Sequence, residues 1–393
     1  MEKEKTSVFE NGLIWFGAAV SLAEIVSGTS LATLGFAKAV AAVILGHILG
    51  CALMLCAGLL GARSGKSAME TVKMTFGGKG GLLFAVLNVV QLVGWTSIMI
   101  YDGAVAARGI FGRGLFLWAI VIGALIVVWL LLGVRSLGRV NVVAMGALFV
   151  LTCVLGGIIF KNNSTLFAAV DDGSLGFGEA VELSAAMPIS WLPLISDYTS
   201  TAEKPARAAL VSTVVYGLVS CFMYIIGIGG VLCAGSGDIA AIMAGAGLGI
   251  FGLFIVIFST VTTTFLDAYS AGVSATAIHG KISAKRVGIG AVVLGTICAC
   301  LFNMDNISTF LYFIGSVFTP MIGVMIGDSL ILKTDRSDTG FAWPDLIAWL
   351  VGFLCYRYFL SVTTPVGETL PTLGLTVALS LVFGLFLRSR KSR

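Results

Sequence analysis

The sequence predicts an all-α polytopic membrane protein, and three observations carry that reading. Of 393 residues, 58% are hydrophobic and 11% charged, against about a quarter charged in an ordinary soluble domain. Mean hydropathy is +1.03. Apolar blocks of about twenty residues, the length a helix needs to cross a hydrocarbon core of about 30 Å, recur from end to end, with only seven prolines and no polar linker. Segments 115–132 and 142–160 are continuously apolar, where a β-barrel would alternate over about ten residues.

Twelve spans result, at 12–36, 39–62, 81–107, 114–133, 140–160, 178–198, 208–233, 246–276, 286–303, 307–331, 344–361 and 369–388. In span 1 small and polar residues, Gly17 to Ser21, Glu24 and Ser27 to Ser30, weaken a regular apolar helix. Span 2 carries His47. Span 3 holds a polar stripe, and spans 4 and 5 are uncharged. Span 6 contains Met187-Pro188-Ile189-Ser190-Trp191-Leu192-Pro193 near mid-membrane, and each proline removes a backbone donor and clashes with the preceding turn. Span 7 is apolar, and span 8 is dense in hydroxyls from Ser259 to Ser270. Spans 9 to 12 are apolar blocks closing on a basic tail. Breaks at matching places in two halves are a transporter signature, so spans 1 and 6 divide the first ten helices into a five-plus-five inverted repeat. The bounds are a tail at 1–11, a first repeat at 12–160, a second at 178–331, helices 11 and 12 at 344–388 and a tail at 389–393. A plain kink at span 6 is the simpler alternative. The opening Met-Glu-Lys-Glu-Lys is too acidic and too directly joined to span 1 for a cleaved signal peptide.

With the N-terminus inside, nineteen of the 24 basic residues fall in inner loops and tails, among them Arg63, Lys66, Lys204 and Arg388. Only Lys38, Arg108, Arg113, Lys161 and Arg357 stay outside. The positive-inside rule therefore puts both termini in the cytoplasm, of an inner (plasma) membrane protein. The formal charge of +4 reflects topology and gives no reason to expect nucleic-acid binding. The lipid bilayer is the expected surrounding, and no obligate protein partner is evident.

Eight cysteines lie mostly within spans and read as packing residues. Cys298 and Cys300 are too close for a zinc motif. His47 and His279, the only histidines, are too far apart for a metal site, and His47 reads as a hydrogen-bonded helix contact before a proton relay. No histidine-containing triad, metal cluster or nucleotide loop supports an enzyme, so no catalytic residue and no cofactor is expected.

Charge at bilayer depth is costly and faces a cavity or a partner. Glu24, Asp102 and Asp267 lie furthest from the interfaces, each equally explicable as a paired packing residue. Asn88, Gln91, Trp95 and Asp102 share one face of span 3. Trp95 offers a flat surface to a ring, and Gln91 a donor and an acceptor, although a plain helix interface would give the same face. In span 8, Thr262, Thr263 and Thr264 precede Asp267. Threonines satisfy themselves one turn back, but two hydroxyls facing unwound carbonyls of span 1 would supply oxygen ligands for Na⁺.

These residues resemble the nucleobase:cation symporter-1 family, whose members import cytosine, allantoin, hydantoins and related rings, and most closely its hydroxymethylpyrimidine-permease branch, linked to thiamine salvage. The resemblance runs from about residue 12 to 388. It rests on Gly46-His47 leading into Gly61-Ala62-Arg63-Ser64-Gly65, on Gln91-Leu92-Val93-Gly94-Trp95, on Ile189-Ser190 with Ser196-Asp197-Tyr198, and on Thr262-Thr263 followed by Tyr269-Ser270-Ala271-Gly272. It implies the leucine-transporter-type fold, alternating access and cation-coupled uptake of a flat heterocycle. Na⁺ would be held by the carbonyls of Gly17 and Val20, with Phe16 and Ala19 the competing pair, and by Thr262 and Thr263. The family's stacking tryptophan matches Trp95, and its helix-6 aromatic aligns with Pro188, three positions before Trp191. Relatives often carry asparagine where this chain has Thr264 and then Asp267.

The resemblance and the carboxylates together give a pyrimidine importer, with hydroxymethylpyrimidine as the best substrate and Na⁺ as coupling ion. Ser21, Glu24, Gln91, Trp95, Ser190, Trp191, Thr264 and Asp267 are its candidate substrate contacts. A proton-coupled cytosine- or purine-type permease using Glu24, Asp102 or Asp267 is the alternative. A channel fits less well, because polar residues at two breaks suit occlusion better than a pore.

Overall fold

The computed structural model describes residues 5–136, 138–161, 166, 169–234, 247, 249–362 and 364–391. The start of span 8 at 246, Lys3 and Arg393 lie outside the described residues. The chain runs through α1 (Val8–Ala19), α2 (Leu22–Thr29), a 3₁₀ turn (Ala32–Leu34), α3 (Phe36–Ser64), α4 (Ala68–Phe76), α5 (Gly81–Phe111), α6 (Leu115–Ser136) and α7 (Gly138–Phe160). It continues through α8 (Phe177–Ser190), α9 (Leu192–Thr199), α10 (Pro205–Ala234), α11 (Gly249–Ile278), α12 (Ala284–Leu301), α13 (Ile307–Met325), a π-helical turn (Ile326–Ile331), α14 (Trp343–Phe359) and α15 (Thr369–Lys391). Among the described residues seven helices are long and apolar enough to cross a membrane, and the pair α1 and α2, bent by 46°, makes an eighth. The helices α7, α8 with α9, α11 and α14 lie where spans 5, 6, 8 and 11 are expected.

The break after α1 falls at Val20 (φ −76°, ψ 72°) and Ser21 (φ −131°, ψ 154°). Ser21 caps α2, its hydroxyl accepting the Glu24 N–H at 3.4 Å, the usual service of serine at a helix start. Trp191 joins α8 to α9, and Pro193 (φ −81°, ψ 15°), the second residue of α9, leaves helical geometry. Proline supplies no N–H there, and two side chains of α5 take up exposed carbonyls. Gln91 Nε2 donates to Ser190 O at 3.0 Å and Asn88 Nδ2 to Pro193 O at 3.2 Å.

Two features differ from expectation. The first helix begins at Val8 instead of residue 12, because Ser7 and Glu10 form a reciprocal cap, with Ser7 N–H on Glu10 at 2.7 Å and Glu10 N–H on Ser7 at 3.1 Å. A short helix, α4, also occupies part of the inner loop. Ser67 and Glu70 cap it, and Asp197 Oδ1 accepts the Ala68 N–H at 2.9 Å.

Glycine permits the close contacts that locate the site. A side chain at Gly46 would strike Val181 and Ser184 of α8, and one at Gly28 or Gly227 would strike the Tyr224 or Ile25 backbone, so α2 and α10 touch main chain to main chain. Glu182 is fully buried yet satisfied. Its carboxylate accepts from Tyr356 (2.6 Å), Thr369 Oγ1 (2.6 Å), Thr369 N (2.7 Å) and Glu368 N (2.9 Å), which caps α15.

At one end of the helices Thr6 pairs with Thr201 and Glu203, and Lys66 with Asp335 at 3.0 Å. Elsewhere Lys38 meets Asp171 at 2.9 Å and Tyr101 meets Asn303 at 3.4 Å.

Candidate functional site

The two breaks open onto one small cavity of about 10 Å³, room for about one water molecule. Its lining comes from four helices and a break: Ser21, Ala23 and Glu24 of α2 and its cap, Trp95 and Met99 of α5, Met187 and Ser190 of α8, Trp191 at the second break, and Thr263 and Asp267 of α11. Of the eight expected substrate contacts, six meet there. Gln91 and Thr264 do not. Gln91 is fully buried behind the wall, tied to Asn88 (2.9 Å) and Ser190 O. Thr264 is fully buried without a partner for its hydroxyl. Asp102 lies in the C-terminal half of α5 and is not among the residues lining the cavity.

The two carboxylates differ in kind. Glu24 is held by α10: Tyr216 OH donates to Oε1 at 2.7 Å, and Ser220 Oγ lies 2.7 Å from Oε2. Asp267 is 3% exposed and, among the described residues, makes no hydrogen bond or ion pair. Its carboxylate lines the cavity, where a bound donor could meet it. The indole nitrogens of Trp95 and Trp191 are likewise buried and unpaired. Trp95 meets Phe310 edge-on at 5.4 Å, and Trp191 meets Trp15 at 5.3 Å. Ser190 turns its hydroxyl back to Met187 O at 2.6 Å.

Beside the cavity, α1 ends against α11. Phe16 O accepts the Val20 N–H at 3.0 Å and Ala19 O the Ser21 N–H at 2.9 Å, so that pair of carbonyls is engaged. Gly17 O and Val20 O turn outward instead, to Thr263 Oγ1 at 3.4 Å and Ser259 Oγ at 3.1 Å. Thr262 turns away, donating to Phe258 O (2.7 Å) and Ser259 O (3.1 Å) of its own helix. Ser259 thus stands where Thr262 was expected, one helical turn before Thr263. The set Gly17 O, Val20 O, Ser259 Oγ and Thr263 Oγ1 is all oxygen and uncharged, chemistry suited to a hard cation. Among the described residues no group of three histidine, cysteine or acidic side chains is arranged for a metal ion.

Sequence reasoning missed Tyr216, Ser220 and Ser259. Tyr216, Ser220 and Tyr224 recur every four residues on α10, a polar stripe on one face of an apolar helix that was available as a signal.

Comparison with known proteins follows this geometry. A family model described as permease for cytosine/purines, uracil, thiamine, allantoin matches residues 1–374. The cytosine permease of Escherichia coli strain K12 is 27% identical over 327 residues, 81% of this chain and 76% of the relative. That of Escherichia coli O157:H7 is 26% identical over the same length. Among solved structures, Mhp1, a nucleobase-cation-symport-1 family transporter, in a closed conformation with bromovinylhydantoin bound, superposes with a TM-score of 0.80 at 18% identity, covering 97% of this chain and 91% of that one. A Na⁺-coupled sialic acid symporter gives 0.74 at 14% identity, covering 98% and 90%.

Proposed function

The chain belongs to the nucleobase:cation symporter-1 family of permeases for cytosine/purines, uracil, thiamine and allantoin, and from that premise we propose that it imports an aminopyrimidine, hydroxymethylpyrimidine best, together with Na⁺. It is a multi-pass membrane transporter of the leucine-transporter type and not an enzyme. The observation that carries the substrate reading is Asp267, a buried carboxylate with no hydrogen bond among the described residues, in a cavity walled by Trp95 and Trp191. An exocyclic amine would donate to it, and the ring would lie against an indole. Ser21 and Glu24 complete the polar wall.

Sodium is supported by the oxygens of Gly17, Val20, Ser259 and Thr263. Because Thr263 also lines the cavity, ion and substrate would order the same side chain. The helix bundle would then rock against the scaffold about the filled site, in an inner membrane with both termini cytoplasmic, and release both ligands inside. Hydroxymethylpyrimidine uptake would serve thiamine salvage.

The second reading, a proton-coupled permease for cytosine, is favoured by the cytosine permease relatives and by the hydrogen-bonded Glu24. Thermal stabilisation of the purified chain by hydroxymethylpyrimidine, cytosine, thiamine and uracil, each with Na⁺ or choline at fixed pH, separates them. Stabilisation by an aminopyrimidine only in Na⁺ is expected. Stabilisation indifferent to Na⁺ selects proton coupling, and no response from any compound overturns the substrate class.

A further inference from the structure

Behind the cavity wall a chain of side chains runs from Glu24 into α3. His47 Nδ1 lies 2.9 Å from Val43 O, and its Nε2 lies 2.6 Å from Ser220 Oγ. Ser220 Oγ lies 2.7 Å from Glu24 Oε2, and Tyr216 OH donates to Glu24 Oε1 at 2.7 Å. All four side chains are buried.

Counting hydrogens limits what this chain can be. A carbonyl only accepts, so Val43 O requires the hydrogen on Nδ1. The line Nε2, Oγ, Oε2 then contains two hydrogen bonds, and the serine owns one hydrogen. The second hydrogen sits on His47 Nε2, making imidazolium beside carboxylate, or on Glu24 Oε2, making neutral imidazole beside carboxylic acid. Both arrangements have zero net charge and interconvert through the Ser220 hydroxyl. Removing that hydrogen breaks one contact and leaves a buried negative charge.

We propose that Glu24, Ser220 and His47 form a one-proton binding site, holding a single mobile proton between the cavity wall and α3. The groups around it supply no substitute. On α2 the only ionisable side chain is Glu24 itself. Cys51 approaches from α3, Tyr216, Cys221 and Tyr224 from α10, and Asp267 stands across the cavity on α11. None is a lysine or arginine. The proton therefore keeps α2, the second half of the broken helix, fastened to α10, and leaves Asp267 as the carboxylate free to receive an amine.

The inference adds a proton to the wall of the cavity proposed above, and its test uses neither substrate nor varied Na⁺, so either reading can fail alone. Equilibrium unfolding of the purified full chain in mild detergent is followed from about pH 5 to about pH 9. The unfolded chain loses the shared proton as free imidazole titrates near pH ~6.5, while the folded site retains it. The folded chain then binds one more proton, and stability falls as pH rises. The expected result is a folded-to-unfolded ratio that falls about tenfold per pH unit more steeply in the parent than in His47→Gln above pH ~7, the slope of one proton. The glutamine amide can donate to Ser220 without titrating, and other groups contribute equally to both proteins. Equal slopes overturn the site. Should His47→Gln fail to fold, Glu24→Gln, whose amide can donate to Ser220 without titrating, carries the same expectation. On the parent alone, nitrogen-15 spectra resolve His47 from His279, the one other histidine. An unprotonated His47 Nε2 at pH ~8 with no infrared band of a protonated carboxyl overturns the site as well.

Discussion

Among the described residues Asp267 makes no hydrogen bond, so a bound molecule could supply its donors. A charge-assisted bond contributes about 1.5–3 kcal/mol. Asp267→Asn is therefore expected to weaken binding of a 4-aminopyrimidine by roughly 10- to 100-fold and to leave uracil little changed, measured by equilibrium binding to the purified variant. Equal loss for both compounds would remove the carboxylate from amine recognition. Stacking on an aromatic side chain contributes about 1–3 kcal/mol per base, so Trp95→Ala is expected to weaken every ring alike, and a selective effect would assign Trp95 another role. These two residues were legible because a carboxylate and an indole on polar helix faces stand out in apolar spans. Ser259 was not, since a hydroxyl that bonds its own helix and one that faces a carbonyl of α1 look identical in sequence. Thr262 and Ser259 exchanged parts for that reason.

At the scale of elements, the site depends on how closely α2 lies on α10. Gly227 faces Ile25 O and Gly28 faces Tyr224 O at distances that leave no room for a methyl group. Overpacking of this kind costs about 1–3 kcal/mol. Gly227→Ala is expected to lower the melting temperature and weaken substrate binding together, because Glu24 rides on the displaced helix, whereas Gly157→Ala in α7, with open space at its Cβ position, is expected to do neither. Loss of stability without loss of binding would separate the contact from the site. The breaks themselves were legible. Ser21 is a good helix cap, and Pro188 and Pro193 lack donors, so local chemistry announces both interruptions. The short helix α4 was passed over although Ser67 and Glu70 carry the signature of its start. Glu182 was passed over because its partners lie far along the chain, Thr369 being 187 positions away. No local pattern tells a carboxylate that caps a distant helix from one that faces a cavity.

For the whole molecule, the oxygens proposed for the cation lie on α1, its break and α11, and α2 and α11 also line part of the cavity. Thr263 belongs to both, since its hydroxyl faces Gly17 O and its side chain lines the cavity. A cation drawing Gly17, Val20, Ser259 and Thr263 together would fix the end of α1 against α11 and so shape the cavity before substrate arrives. Coupling between two ligands is reciprocal at equilibrium, with typical strengths of about 1–3 kcal/mol or roughly 5- to 150-fold. Saturating Na⁺ is expected to raise aminopyrimidine affinity by a factor in that range, and the substrate to raise Na⁺ affinity by the same factor. Thr263→Ala and Ser259→Ala are each expected to shrink the factor toward one while leaving substrate affinity in choline near that of the parent. Thr262→Ala, whose hydroxyl is spent within its own helix, is expected to leave the factor intact. Titrating substrate at several Na⁺ concentrations decides the matter: a factor of one in the parent removes sodium coupling, and a loss in Thr262→Ala instead of Ser259→Ala moves the cation one turn along α11.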